Sequence, residues 1–239
     1  MKRTILAALA AVVWLGGCGG GTGSLPTGND PKPADQELPG DPVKPSPEAP
    51  LSLWPLTTGS TWTYRITEPT RGVFDKSVEV IGPQAVPETS TTAILVKSMQ
   101  PHLEEHSWQL ELQNGTVVRL REEDLKAGAI ARVTTWSPAT VKSLSLAQPQ
   151  GWSYESNIRE MTREDTGLVE EKNRTYVWRV LAVNESVTVP AGTFTAIKVQ
   201  RARPDKAGSE RTYWLVPGIG KVKEDGERLE ELVSYDVKK

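Results

Sequence analysis

The sequence predicts a mainly β protein: a single curved antiparallel sheet, a half-barrel or open-barrel meander with little helix, over residues 51–239. Three observations predict it. Apolar and polar residues alternate at period two in segment after segment, the pattern of strands with one face buried and one in water. Turn-forming glycines, prolines and asparagines separate those segments. No stretch carries the apolar stripe of a long helix, and only Glu122–Lys126 fits one short helical turn. The region 51–239 is long enough for one domain with a sizeable core.

Each element follows from local pattern. In Thr61–Thr67, Trp62, Tyr64 and Ile66 share one face, and in Ser107–Gln113 Trp108, Leu110 and Leu112 do. Further strands are expected at Ser77–Ile81, Thr92–Met99, Ile130–Trp136, Thr175–Val183, Phe194–Arg201, Arg211–Val216, Lys221–Glu224 and Leu229–Val237. The Asn114-Gly115 turn permits a stricter statement. A two-residue loop would pair Leu110 with Arg119 and mix faces. A three-residue loop, Gln113-Asn114-Gly115, pairs Leu110 with Val118, Gln109 with Arg119, Trp108 with Leu120 and Ser107 with Arg121. A one-residue slip inverts a strand's faces, so the longer loop is preferred, with Gly115 left-handed. Pro190-Ala191-Gly192 is expected to turn in the same form.

Ahead of this region lie two others. Met1-Lys2-Arg3 is basic, Ile5–Leu15 is apolar, and Leu15-Gly16-Gly17-Cys18 ends in small residues and the only cysteine. That order matches a secretory signal. Eleven apolar residues, at about 1.5 Å each, cross only about half of a ~30 Å hydrocarbon core, which argues against a spanning helix. An ordinary signal with a chance cysteine is the other alternative. Leu15-Gly16-Gly17-Cys18 resembles the lipobox of bacterial lipoproteins. The resemblance implies a signal peptide over 1–17, cleavage between Gly17 and Cys18, and acyl chains, palmitate among them, on Cys18. Gly19, where an aspartate would signal inner-membrane retention, implies the outer membrane, on its periplasmic or its surface face.

Residues 18–50 read as a tether. Ser24–Pro50 holds eight of the chain's eighteen prolines and few apolar groups, a composition that favours extended, unpacked chain. At ~3.1 Å per residue this stretch reaches at most ~80 Å. A proline-rich ligand for a partner domain is the competing reading. The segment 18–50 carries a net charge of −3 and the leader +2, which leaves −1 for 51–239 out of the chain's −2. A near-neutral domain has no basic footprint for nucleic acid or lipid headgroups, so no nucleic-acid partner is expected.

A second resemblance rests on Leu53-Trp54-Pro55-Leu56, Gly59-Ser60-Thr61-Trp62-Thr63-Tyr64, Val189-Pro190-Ala191-Gly192-Thr193-Phe194 and Tyr213-Trp214-Leu215-Val216-Pro217-Gly218-Ile219-Gly220. These look like an uncharacterised bacterial envelope domain, similar in architecture to the half-barrel of Lol-type lipoprotein carriers. The resemblance implies a fold and no chemistry. The carriers' covering helices are not evident in this sequence.

Catalytic patterns are weak. His102 and His106 share a helix face only if that segment is helical; in a strand they lie about 13 Å apart, too far for one ion, so no metal site is expected. No serine sits in a Gly-x-Ser-x-Gly turn, and Gly218-Ile219-Gly220 is too short for a dinucleotide loop. The acidic runs Glu122-Glu123-Asp124, Glu170-Glu171 and Glu230-Glu231 place adjacent acids on opposite strand faces. No enzyme activity and no cofactor beyond the lipid on Cys18 are expected, with an unrecognised envelope hydrolase as the last alternative. Seven tryptophans against two phenylalanines in the domain suit a curved sheet that must fill its hollow. Trp62, Tyr64, Trp108, Trp178 and Trp214 are the candidates to line an apolar cleft or a sugar platform, should the hollow be open. The expected function is a lipid-anchored envelope protein presenting a tethered β-domain to an envelope partner. The alternative is a carrier of a lipid or acyl chain in the concave face.

Overall fold

The computed structural model describes residues 52–239 apart from Ala147. The signal, Cys18 and the tether lie outside the described residues. Twelve strands follow in chain order: β1 (Thr61–Glu68), β2 (Gly72–Ala85), β3 (Thr92–Gln100), β4 (Leu103–Glu111), β5 (Val117–Lys126) and β6 (Ala129–Ser143). The second half holds β7 (Ser153–Glu164), β8 (Val169–Val189), β9 (Gly192–Ala202), β10 (Arg211–Val216), β11 (Gly220–Asp225) and β12 (Leu229–Asp236).

Each strand pairs antiparallel with the next, and β1 also pairs with β12, closing a barrel. The expected half-barrel or open sheet is thereby corrected. Thr61 is opposite Glu79 on one side and Asp236 on the other, so β1 has no free edge. Closure pairs the backbone N–H and C=O groups that an open meander would expose at two edges. Alternation within a strand reports which face is buried, and it is silent on whether the first strand meets the last.

The short helical turn at Glu122–Lys126 is a second correction, because those residues belong to β5. Glu122 and Asp124 sit two apart on one face, opposite Ser107 and Glu105. Strand β7 has no counterpart in the sequence reading; of Ser153–Glu164 only Ser156 and Ile158 are buried, so its alternation is weak.

The Asn114-Gly115 hairpin has the expected three-residue loop. The Leu112 N–H donates to the Thr116 carbonyl, and Gly115 is left-handed at φ 80°. Leu110 faces Val118 and Gln109 faces Arg119, as the loop length requires. Beyond them the register changes, and Trp108 pairs with Arg121, because Leu120 is bulged. The second turn is tighter than expected: Val189 pairs with Gly192, leaving Pro190-Ala191 as the loop.

Three apolar clusters hold the barrel. One joins Trp62, Ile66 and Val80 to Leu232, Val222 and Trp214. A second gathers Trp178, Val180, Val199, Tyr213 and Leu215 around Leu53, and a third centres on Trp108. Leu53 belongs to the segment ahead of β1, which enters the barrel as a plug. The Gly218 N–H donates to the Ser52 carbonyl (2.9 Å), and the Trp54 Nε1 donates to the Gln109 Oε1 (2.9 Å). A filler of this kind is needed, because barrel diameter grows with strand number and about eight strands already make an interior just wide enough for side chains to fill.

The outer wall carries exposed Arg65, Asp75, Glu79, Arg159 and Arg179. An arginine or lysine facing mid-membrane lipid costs roughly 2–4 kcal/mol. Where these side chains stand, the wall is built for water.

Candidate functional site

The most distinctive chemistry lies inside. Along β2, Lys76 shares a face with Phe74, Val78 and Val80, and register sets it opposite Tyr64 of β1. On β4, Glu105, Ser107 and Gln109 alternate on the face paired with Ser98 and Val96 of β3. Strands β11 and β12 place Glu224 directly opposite Glu230. Two like charges across a ladder repel, and Lys221 resolves the conflict by reaching both, at 2.5 Å and 2.7 Å.

Glu230, only 2% exposed, is the hub. Lys76 (2.9 Å), Lys221 (2.7 Å) and Arg228 (2.6 Å) converge on its two oxygens. Burial pushes its carboxyl up, yet Lys221, Lys76 and Arg228 outweigh burial and hold it well below the ordinary range. Lys221 shows the mirror image: burial lowers the ammonium, and Glu224 and Glu230 together raise it. Tyr64 donates its hydroxyl to the Lys221 carbonyl (2.9 Å), and burial raises that phenol.

A second group continues along the lumen. Arg119 reaches Glu122 and approaches Glu105 at 3.9 Å, and Arg132 pairs with Asp124. The carboxylates of Glu105, Glu122 and Asp124 lie within 4.8 Å of one another, a spacing compatible with a shared cation. Two guanidinium groups already hold them, and that donor set reads as an ion-pair network.

Between the groups is a cavity of about 60 Å³, walled by Trp54, Lys76, Val96, Glu105, Lys142 and Lys221 among others. Lys142 stands apart. Its ammonium has no hydrogen bond or ion pair among the described residues, and it lies over the Trp54 ring, 5.0 Å from the centroid. Burial, with repulsion from Arg119, pushes this lysine well below its ordinary value.

The five aromatic residues singled out from the sequence do not meet in one cleft. Trp62 and Tyr64 line the cavity, where the Trp62 Nε1 donates to the Ile219 carbonyl (2.7 Å). Trp108 lies in its own cluster and donates to the Ala85 carbonyl. Trp178 stacks on Tyr213 at 5.9 Å within the second cluster. Trp214 donates to Glu185 and lies beneath Lys198 and Lys223. Of the two histidines, His106 contacts Glu104 at 2.6 Å and His102 is exposed in the turn before β4. A depression of about 450 Å³ on the outer wall is bordered by Pro87, Ile130 and the Glu88–Arg163 ion pair (2.7 Å). The sequence reading missed the charged lumen. A signal was present at one position: Lys76 falls on the apolar phase of its strand, with Phe74, Val78 and Val80, whereas Glu105 shares its phase with Ser107 and Gln109.

No family model matches the chain, and no curated protein matches it. Among solved structures, a Bacteroides fragilis protein described as exported, with a YmcC-like fold, is similar at 11% identity and a TM-score of 0.48. A Parabacteroides distasonis protein described as a lipoprotein is similar at 13% identity and a TM-score of 0.38. Each likeness covers 78% of this chain and 99% of the other.

Proposed function

We propose that this chain is a lipid-anchored protein of the bacterial cell envelope, attached through Cys18 to the outer membrane. Its barrel is a non-catalytic domain held away from the bilayer by residues 18–50, and it presents its water-facing wall to an envelope partner. The observation that carries the reading is Leu15-Gly16-Gly17-Cys18, behind a basic start and a short apolar run. Stable anchoring takes two acyl chains, or one chain plus a basic patch, and the acidic tether offers no such patch. A multiply acylated Cys18 supplies the whole attachment.

Two features of the barrel support the non-catalytic half. The carboxylates around Lys221 and Arg119 are tied into ion pairs, which leaves them poorly placed to act as a general acid–base pair. The cavity, about 60 Å³ with charged groups in its wall, is far smaller than ordinary ligand pockets. The lipid-carrier alternative therefore lacks the open apolar hollow it requires.

The test is Cys18→Ser in the full chain. The expected result is loss of labelled-palmitate incorporation and transfer of the protein from membrane to soluble fractions. Unchanged membrane recovery would overturn the anchoring. A reproducible co-purifying lipid in native mass spectrometry would overturn the non-carrier reading of the barrel.

A further inference from the structure

The lumen's ion pairs leave the Lys142 ammonium without a direct partner. Three ammonium groups, those of Lys76, Lys142 and Lys221, wall the cavity against a single carboxylate, Glu105. Lys76 and Lys221 are both satisfied by Glu230, and Lys221 also by Glu224. Glu105 faces Arg119, whose other partner is Glu122. Lys142 makes no ion pair among the described residues; Glu105, shared with Arg119, offsets only part of the burial that disfavours its charge, and an ammonium withdrawn from water without a direct partner is unfavourable.

The surroundings of Lys142 are arranged to donate. The Gln109 Oε1 accepts from Trp54, while its Nε2 gives one hydrogen to the Ser107 Oγ (2.9 Å) and keeps a second. The Ser107 hydroxyl, having accepted that bond, has its own proton free to donate. Ser98 also borders the cavity. An ammonium, hydroxyls and an amide N–H facing one small space form a site for a hydrogen-bond acceptor carrying negative charge. The lining also has an apolar part, Leu56, Val78, Val80 and Val96, with Val96 paired to Ser107 across β3 and β4.

We infer that the barrel lumen binds a small monocarboxylate, its carboxylate on the Lys142 ammonium with Ser107 and Gln109, and its short tail against Val78, Val80 and Val96. One unpaired cation calls for one negative charge. The cavity volume of about 60 Å³ holds about four to six water-sized groups, the size of acetate or propionate. A carboxylate there also keeps Lys142 protonated, against the burial and the Arg119 repulsion that disfavour its charge. The inference concerns the barrel alone and stands whether or not Cys18 is acylated.

The test uses the purified full chain, titrated with acetate, propionate, phosphate and chloride at constant ionic strength, with thermal stability and calorimetry as readouts. Acetate or propionate is expected to bind saturably and raise the melting temperature, with phosphate and chloride at least tenfold weaker. Lys142→Gln is expected to weaken acetate binding at least tenfold. Lys198→Gln, which alters an outer lysine paired with Glu185, is expected to leave it within twofold. Equal binding by Lys142→Gln, or equal effects of all four anions, would overturn the inference. Should Lys142→Gln not fold, ¹³C-acetate bound to the unsubstituted chain decides the matter. Magnetisation transfer from its methyl group to the Val96 methyls supports the site, and its absence at saturating acetate overturns it.

Discussion

Glu230→Gln removes one negative charge from the lumen while keeping the side chain's shape, and its cost can be worked from three contacts. Glu230 holds Lys76 at 2.9 Å, Lys221 at 2.7 Å and Arg228 at 2.6 Å. Lys221 keeps Glu224 at 2.5 Å, and Arg228 keeps Gln100 at 3.0 Å. The loss therefore falls chiefly on Lys76, which has no other ion pair among the described residues. At an effective dielectric of about 20, a pair about 3 Å apart interacts by about 5–6 kcal/mol before desolvation is set against it. Removing one partner from a buried pair costs roughly 3–5 kcal/mol. At roughly 2–4 °C per kcal/mol for a domain of this size, the melting temperature should fall by about 6–20 °C. Urea unfolding at pH 7 checks the free energy and calorimetry the temperature.

The same residue fixes a pH signature. The carboxyl of Glu230 is depressed in the folded state. The stability it contributes is therefore present above the unfolded value of about 4.3 and is lost as pH falls through the folded value. The deficit of Glu230→Gln should accordingly be full at pH 6–7 and shrink below about pH 4. Lys76→Met combined with Glu230→Gln removes both charges and should recover at least about 2 kcal/mol of the loss. A single-variant loss under about 1 kcal/mol at pH 7, or a deficit that persists unchanged in acid, would refute the view that Glu230 compensates buried cations.

Two backbone and lumen substitutions test neighbouring points. Gly82 is left-handed at φ 113°, and an added Cβ would lie 2.7 Å from the Thr58 Oγ1, whereas at Gly115 (φ 80°) the nearest atom would be 3.6 Å away. Gly115→Ala should cost about 1–2 kcal/mol from conformation alone, and Gly82→Ala measurably more in urea unfolding, with Thr58→Ala restoring part of the difference. In buffer free of small carboxylates, Lys142→Met should stabilise the protein by about 1–2 kcal/mol at pH 7, because it removes a half-buried charge that has no direct ion pair. A lysine with a depressed folded value costs stability below that value and regains it as pH rises toward its unfolded value of about 10.4. The advantage of Lys142→Met should therefore vanish above that pH, and a destabilised variant at pH 7 would count against the unpaired-charge account.

Strand identity was legible wherever one face met apolar core. Trp62, Tyr64 and Ile66 are each 6% exposed or less and alternate as the sequence pattern requires. The acidic doublets also behaved as strand geometry demands. Glu230 turns into the lumen while its neighbour Glu231 meets Lys223 outside, and Glu123 pairs with Arg121 away from the face of Glu122 and Asp124. Closure was not legible, because the β1–β12 pairing depends on twist and bulges summed over twelve strands. One such bulge, at Leu120, already moved Trp108 off its expected partner. Strand β7 escaped notice because only Ser156 and Ile158 on its inner face are buried, while its outward face is polar apart from exposed Met161.

The lumen was hidden by an average. A net charge of −1 over residues 51–239 is the ground for expecting no basic face for nucleic acid, yet a sum over the domain is blind to how charge divides between wall and interior. The informative quantity is phase. A lysine or glutamate that shares a strand's apolar period is bound for the inside, where it needs a partner of opposite sign, whereas the same residue one position along is ordinary surface. Lys76 beside Phe74 and Val78 satisfies that condition and finds Glu230, whereas Lys221, in period with Lys223, meets Tyr64 and Glu230 through a register shift between β10 and β11. Lys142 lies in a stretch where β5 and β6 change register at Val117/Val118. Its phase cannot be read from spacing, and it faces the cavity through that irregularity. A lysine placed inside by a register shift, with only the shared Glu105 facing the same cavity, is better explained by a ligand than by packing, since a methionine there would pack without burying a charge.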